Sequence, residues 1–85
     1  MYVKAFYVEN ARGNQMHNFI VMYVDGVDYF QSYSTVMGFI DADRTMHRTS
    51  NARTATTSRQ LSCFFEQYAP HMTVKDFYKL PYERL

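Results

Sequence analysis

The chain has 85 residues, a net charge of +1 with His neutral, 47% hydrophobic residues and 18% aromatic residues. That length holds a single domain, 1–85, and that aromatic content is too high for a disordered chain. The near-neutral charge excludes strong polyanion binding by overall charge alone, and the single Cys63 excludes an intrachain disulfide and the usual cysteine zinc sites.

Residues 2–8 are rich in aromatic and β-branched side chains and read as a first strand. The N-terminus opens straight into it, without the apolar segment and small-residue cleavage site of a secretory signal. A loop follows over residues 9–14, where Asn10, Gly13 and Asn14 tolerate positive φ. Phe19-Ile20-Val21-Met22-Tyr23-Val24 is an unbroken apolar run, the pattern of a central strand buried on both faces. It is far shorter than the ~20 residues of a membrane-spanning helix. With a free thiol that suits a reducing compartment, the expectation is a cytoplasmic protein with no membrane partner.

Asp25-Gly26 then separates two apolar runs, the strongest short-range hairpin signal. Over residues 28–33, Tyr29, Gln31 and Tyr33 alternate with Phe30 and Ser32. Ser34 and Thr35 suit a bend, and residues 35–40 form another strand, in which Gly38 marks a bulge or a close backbone approach. Asp41-Ala42-Asp43 is a turn. Residues 45–49 are polar on both faces, so they form either an edge strand open to pairing or a loop.

Thr57-Ser58-Arg59-Gln60 fits a capping box. Leu61, Phe64, Phe65 and Tyr68 follow at i, i+3, i+4 and i+7, on one face of a helix that Pro70 stops. Cys63 falls nearly opposite them. Thr73 caps a shorter helix with Val74, Phe77 and Tyr78 on one face. Strands first and helices second is the α+β pattern. The expected architecture is an antiparallel meander sheet of four to five strands. One main helix, about 58–69, packs on one face, and a short C-terminal helix, about 74–79, follows.

Catalytic chemistry finds little support. Cys63 lies mid-helix with no base placed beside it, and reads as an inert thiol. His17, His47 and His71 lack metal-ligand spacing, and no phosphate-cradling Gly motif is present, so no cofactor and no metal are expected. Asp41 and Asp43 read as turn formers rather than a carboxylate pair. The segment from Arg44 to Arg59 stands apart. It holds Arg44, His47, Arg48, Arg53 and Arg59 and no acid, with many hydroxyls before a helix N-terminus. Such a segment suits phosphate or a partner's carboxylates, and these five are the candidate binding residues. A solvated loop leading to a capped helix is the competing reading. Tyr29 and Tyr33 likewise read as a base-stacking platform or, more simply, as half-buried sheet aromatics.

Tyr29-Phe30-Gln31-Ser32-Tyr33-Ser34-Thr35, then Thr56-Thr57-Ser58-Arg59-Gln60-Leu61 and Phe64-Phe65, resembles a group of small phage and mobile-element proteins. In that group an aromatic-Ser-Tyr-x-Thr strand precedes a Thr-Thr helix start with an aromatic face. The likeness covers about residues 19–69 and is weak over residues 41–55. It implies a binding role inside a bacterial host. The expected function is a non-enzymatic accessory protein that occupies a host macromolecule, such as a defence nuclease, in the manner of anti-CRISPR proteins. The alternative is a nucleic-acid-binding module using residues 44–59.

Overall fold

Five strands pair in chain order into one antiparallel sheet: β1 (Val3–Glu9), β2 (Gln15–Val24), β3 (Val27–Ser32), β4 (Thr35–Ile40) and β5 (Met46–Arg48). Two helices follow, α1 (Ala55–Tyr68) and α2 (Val74–Phe77), which makes the fold α+β as the order of elements implies. This computed structural model describes residues 3–10 and 12–85; Tyr2, the expected start of the first strand, and Ala11 in the next loop lie outside the described residues.

Turn chemistry sets the strand register. Asp25 and Gly26 both take positive φ, 49° and 89°, which is the backbone of a type I′ hairpin. A second two-residue link joins Ser32 to Thr35, and it places Tyr33 at φ 55°. That conformation is strained for a bulky side chain, by about 1–3 kcal/mol. Two hydrogen bonds hold it: the Tyr33 amide donates to the Asn18 carbonyl at 2.7 Å, and Gln31 Nε2 donates to the Tyr33 carbonyl at 2.9 Å. Tyr33 is therefore a hairpin tip, 58% exposed, rather than a continuation of the strand face that carries Tyr29. Gly38 follows a register shift in the β3–β4 pairing, and a Cβ there would strike the His47 carbonyl and the Phe30 ring. Gly38 is thus the close approach that its place in the strand suggests, next to a bulge at Met37.

The α1 cap lies one turn earlier than the capping box at Thr57 implies. Thr54 is the N-cap, its Oγ1 accepting the Thr57 amide at 3.1 Å. Thr57 is buried inside the first turn, and Gln60 does not reach back to the cap. Instead Ser32 Oγ donates to Gln60 Oε1 at 2.6 Å and lies 3.3 Å from Thr57 Oγ1. The Ser-Tyr-x-Thr and Thr-Thr stretches thus meet as one buried polar joint between β3 and α1. At the other end, Ala69 caps α1 ahead of Pro70, and Thr73 Oγ1 accepts the Asp76 amide to start α2.

Both helices lie on the same face of the sheet. Val8, Phe19, Val21, Phe30, Met37 and Ile40 meet Leu61, Phe64, Phe65 and Phe77 in one core. Phe30 is its hub, with ring contacts to Phe19, Phe64, Phe65 and Phe77. Tyr68 departs from the expected core face: it touches Phe6 and Phe64 but is 45% exposed, because it sits at the last turn where the sheet ends.

β5 is an edge strand, but residues 80–83 already occupy its outer edge. Arg48 bridges to Tyr82 in parallel, and the Glu83 amide donates to the Arg48 carbonyl at 2.9 Å. This C-terminal strap closes the edge that residues 45–49 were expected to leave open for pairing.

Candidate functional site

The residues of the basic segment are spread over β5, the turn before it, the loop after it and α1. Arg44, at the turn before β5, pairs with Asp28 at 2.9 Å. Arg48 is buried, 8% exposed. Its guanidinium donates to the Leu80 carbonyl from Nε and Nη2 at 3.0 and 2.8 Å, and from Nη1 to the Ser50 carbonyl and Asn51 Oδ1. Arg53 lies over the Tyr78 ring at 4.7 Å, beside the Tyr78 hydroxyl bond to the Ala52 carbonyl. Burial pushes that hydroxyl's pKa up. Arg59 projects from the exposed side of α1, near Met16 and Cys63. Of the five predicted residues, Arg44, His47 and Arg48 are thus committed to partners within the chain.

His47 is held on both sides. Nε2 lies 2.8 Å from Asp41 Oδ2 and Nδ1 lies 2.6 Å from Glu83 Oε2. A carboxylate only accepts, so the two contacts are both hydrogen bonds when the ring carries a proton on each nitrogen. Hydrogen bonds to Asp41 first, then to Glu83, raise its pKa above the ordinary 6.5. The His47 bond, followed by the Thr45 amide, holds the Asp41 carboxyl below its ordinary 3.8. Both ring nitrogens are thus occupied by carboxylates within the chain. Asp41 also accepts the Asp43 and Thr45 amides through Oδ1, so it is the turn former its sequence context implies.

The clasp has a pH signature. His47's folded pKa is raised, so its stabilising contribution is complete below about pH 6.5 and is lost as pH rises through the folded value. Asp41's is lowered, so its contribution holds above about pH 3.8 and is lost as pH falls through the folded value. The melting temperature of the wild type should therefore exceed that of His47→Gln most clearly near pH 5–6, with the gap closing towards pH 9. A gap that is constant from pH 5 to 9 would show that His47 does not titrate against these carboxylates.

The other face of the sheet carries the larger feature. Strand pairing aligns Ala5, Met22, Tyr29, Phe39 and His47 in one row across all five strands. Tyr29 and Phe39 rings lie 5.5 Å apart, and Phe39 stacks on the His47 ring at 4.3 Å. On one side of this row lie Val3, Val24 and Val27; on the other lie Tyr7, Ile20, Gln31 and Val36. No Asp, Glu, Lys or Arg occurs in these rows. An antiparallel sheet with one face in water ordinarily alternates apolar and polar residues, and this one is apolar on both faces. Beyond Tyr7 and Ile20, His17 and the Tyr33 hairpin tip wall a shallow hollow at the end of the face. The signal for this surface was in the sequence: the run from Phe19 to Val24 has the pattern of a strand buried on both faces, yet β2 is covered on one.

A smaller cleft of about 350 Å³ lies between the ends of β4 and α1, lined by Ile40, Met46, Tyr68 and Met72. Among the described residues no helix is long and apolar enough to cross a membrane.

Fold and surface together define a two-layer α+β domain with both helices on one sheet face and a largely apolar second face against which, among the described residues, no helix packs. The chain belongs to a family of unknown function (DUF8033), whose profile matches residues 1–79. No curated protein and no solved structure shows significant similarity to it.

Proposed function

We propose that the chain is a non-enzymatic protein-binding domain that docks through the outer face of its sheet. The observation that carries this reading is the largely apolar face built on the Ala5–Met22–Tyr29–Phe39–His47 row. Contiguous apolar patches of this kind mark interaction surfaces. A binding rather than a catalytic role is further supported by the Asp41–His47–Glu83 cluster, whose ring nitrogens are both bonded to carboxylates. The likeness of the Ser32–Tyr33 strand and the Thr56–Thr57 helix start to small phage proteins supports a bacterial cytoplasmic setting. It also supports a host macromolecule, such as a defence nuclease, as the eventual target. A nucleic-acid partner is supported less, since Arg44 and Arg48 already serve Asp28 and main-chain carbonyls.

Tyr29→Lys places a charge in the middle of the face without touching the core. A tagged wild-type chain should retain a protein from host lysate that Tyr29→Lys retains at least about tenfold less, the scale of losing a central interface anchor. Equal retention by the two, or retention of nucleic acid instead of protein, would contradict docking through this face.

A further inference from the structure

The geometry points to the C-terminal strap, residues 80–83, as a latch that closes over the β5 edge when His47 is protonated and lifts from Tyr82 onward when it is not. The latch acts at the edge of the sheet and does not depend on what docks against the outer face.

The strap is held at two places of different chemistry. Leu80 is pinned by the buried Arg48: its carbonyl accepts Nε and Nη2 at 3.0 and 2.8 Å, and its own amide donates to the Phe77 carbonyl at 3.1 Å. A guanidinium does not give up its proton in a protein, so this anchor does not titrate. Tyr82 and Glu83 are held by the bridge to Arg48, by the Glu83 amide on the Arg48 carbonyl at 2.9 Å, and by Glu83 Oε2, 2.6 Å from His47 Nδ1. Pro81 between the two anchors has no N–H with which to add a bond. The outer half of the strap thus relies on a ring that titrates.

Loss of one proton from His47 leaves one N–H for two carboxylates, because a neutral imidazole has one donor and one acceptor nitrogen. Asp41 has the firmer hold on the remaining proton. Its Oδ1 accepts the Asp43 and Thr45 amides at 2.9 Å each, which fixes the carboxylate in its turn. Its side chain is 29% exposed, against 43% for Glu83. The proton therefore stays on Nε2, and the Nδ1 lone pair is left facing the Glu83 carboxylate. Two acceptors at that distance repel, and Glu83 has water to turn to. The other neighbours of the ring do not offset this. β4 presents the uncharged Phe39 ring, Arg44 in the turn is bonded to Asp28, and Arg48, next on β5, is bonded to Leu80. Among the described residues, Asp41 and Glu83 are the charged groups that face His47. Because its folded pKa is raised, closure is favoured below that value and weakens as pH rises through it. In the lifted state the Arg48 carbonyl loses the Glu83 amide, and the β5 edge stands open to another strand.

Amide exchange of the full chain, followed by NMR from about pH 5 to 9 and corrected for the intrinsic pH dependence of exchange, tests this. The His47 ring signals are followed in the same samples. Protection of the Glu83 amide should fall about tenfold or more across the His47 titration, the scale of losing a hydrogen bond to a charged group. The Leu80 amide, on the anchor that does not titrate, should keep its protection. In Glu83→Gln the side-chain amide can donate to a neutral Nδ1, so protection at position 83 should no longer fall as pH rises. Should that variant not fold, the wild-type comparison of Glu83 with Leu80 decides alone. Glu83 protection that stays constant over the whole range, a fall shared equally by Leu80, or the same fall in Glu83→Gln would overturn the latch.

Discussion

Phe30→Ala should destabilise the domain by about 3–5 kcal/mol, the cost of removing a buried aromatic ring whose surroundings cannot fully close the space. Phe30 is fully buried and its ring meets Phe19 within the sheet, Phe64 and Phe65 on α1 and Phe77 on α2. Among the described residues it is the one ring that touches both helices and a neighbouring strand. Relaxation into the cavity is opposed by those same rings, which are held on three different elements. A small domain has roughly 5–15 kcal/mol of stability in all, so this one substitution removes a large share of it. Urea denaturation reads the loss directly. Phe64→Ala and Phe65→Ala should fall in the same range, because both side chains lie under the sheet. A Phe30→Ala midpoint within experimental error of wild type would refute the packing of α1 and α2 on this face.

Arg48→Met should cost about 2–4 kcal/mol, for a different reason. Replacing a buried charge with an apolar side chain of similar length is often harmless when both partners are replaced together. Here the partners are the Leu80 and Ser50 main-chain carbonyls, which stay behind when the guanidinium goes. Loss of Arg48 also loosens the strap, since Leu80 is where it is pinned ahead of the Tyr82 bridge. Amide exchange at Glu83, whose N–H bonds to the Arg48 carbonyl, should therefore accelerate more than exchange in the β2–β3 hairpin. Arg48→Lys keeps the charge but not the planar fork, and should recover less than half of the loss. If Arg48→Met matched wild type in both stability and Glu83 exchange, the strap would be held by its main-chain bonds to β5 and the His47–Glu83 contact rather than by the guanidinium.

The local features of the fold were legible in the sequence because their causes are local. Asp25-Gly26 supplies the two positive φ values of its hairpin from its own residue types. Leu61, Phe64 and Phe65 declare the buried side of α1 by spacing alone, and Thr73 caps α2 by its own hydroxyl. The start of α1 was harder to place because Thr54, Thr56 and Thr57 all have capping side chains. The choice among them depends on Ser32, which reaches Thr57 and Gln60 from a distant strand. The same limit governs the basic segment. Its acid-free stretch is real in the sequence, yet Asp28, Asp41 and Glu83 arrive from elsewhere in the chain to bond Arg44 and His47. Arg48 uses carbonyls, which have no signature in a side-chain reading. The outer face was half legible. The Phe19 to Val24 run announces burial on both sides of β2, but only the pairing register shows that Ala5, Tyr29, Phe39 and His47 extend it across the sheet.

Hydroxyl-radical footprinting of the full chain, alone at low concentration and then in concentrated solution or host lysate, tests the docking face most directly. Met22, Tyr29 and Tyr7 on the outer face are reactive side chains, and the exposed Tyr68 and Tyr82 serve as internal references away from it. Docking through the face predicts that Met22, Tyr29 and Tyr7 lose reactivity together on engagement while Tyr68 and Tyr82 keep theirs. Unchanged reactivity of Met22 and Tyr29 in every condition, or protection confined to Tyr68 and Tyr82, would contradict it.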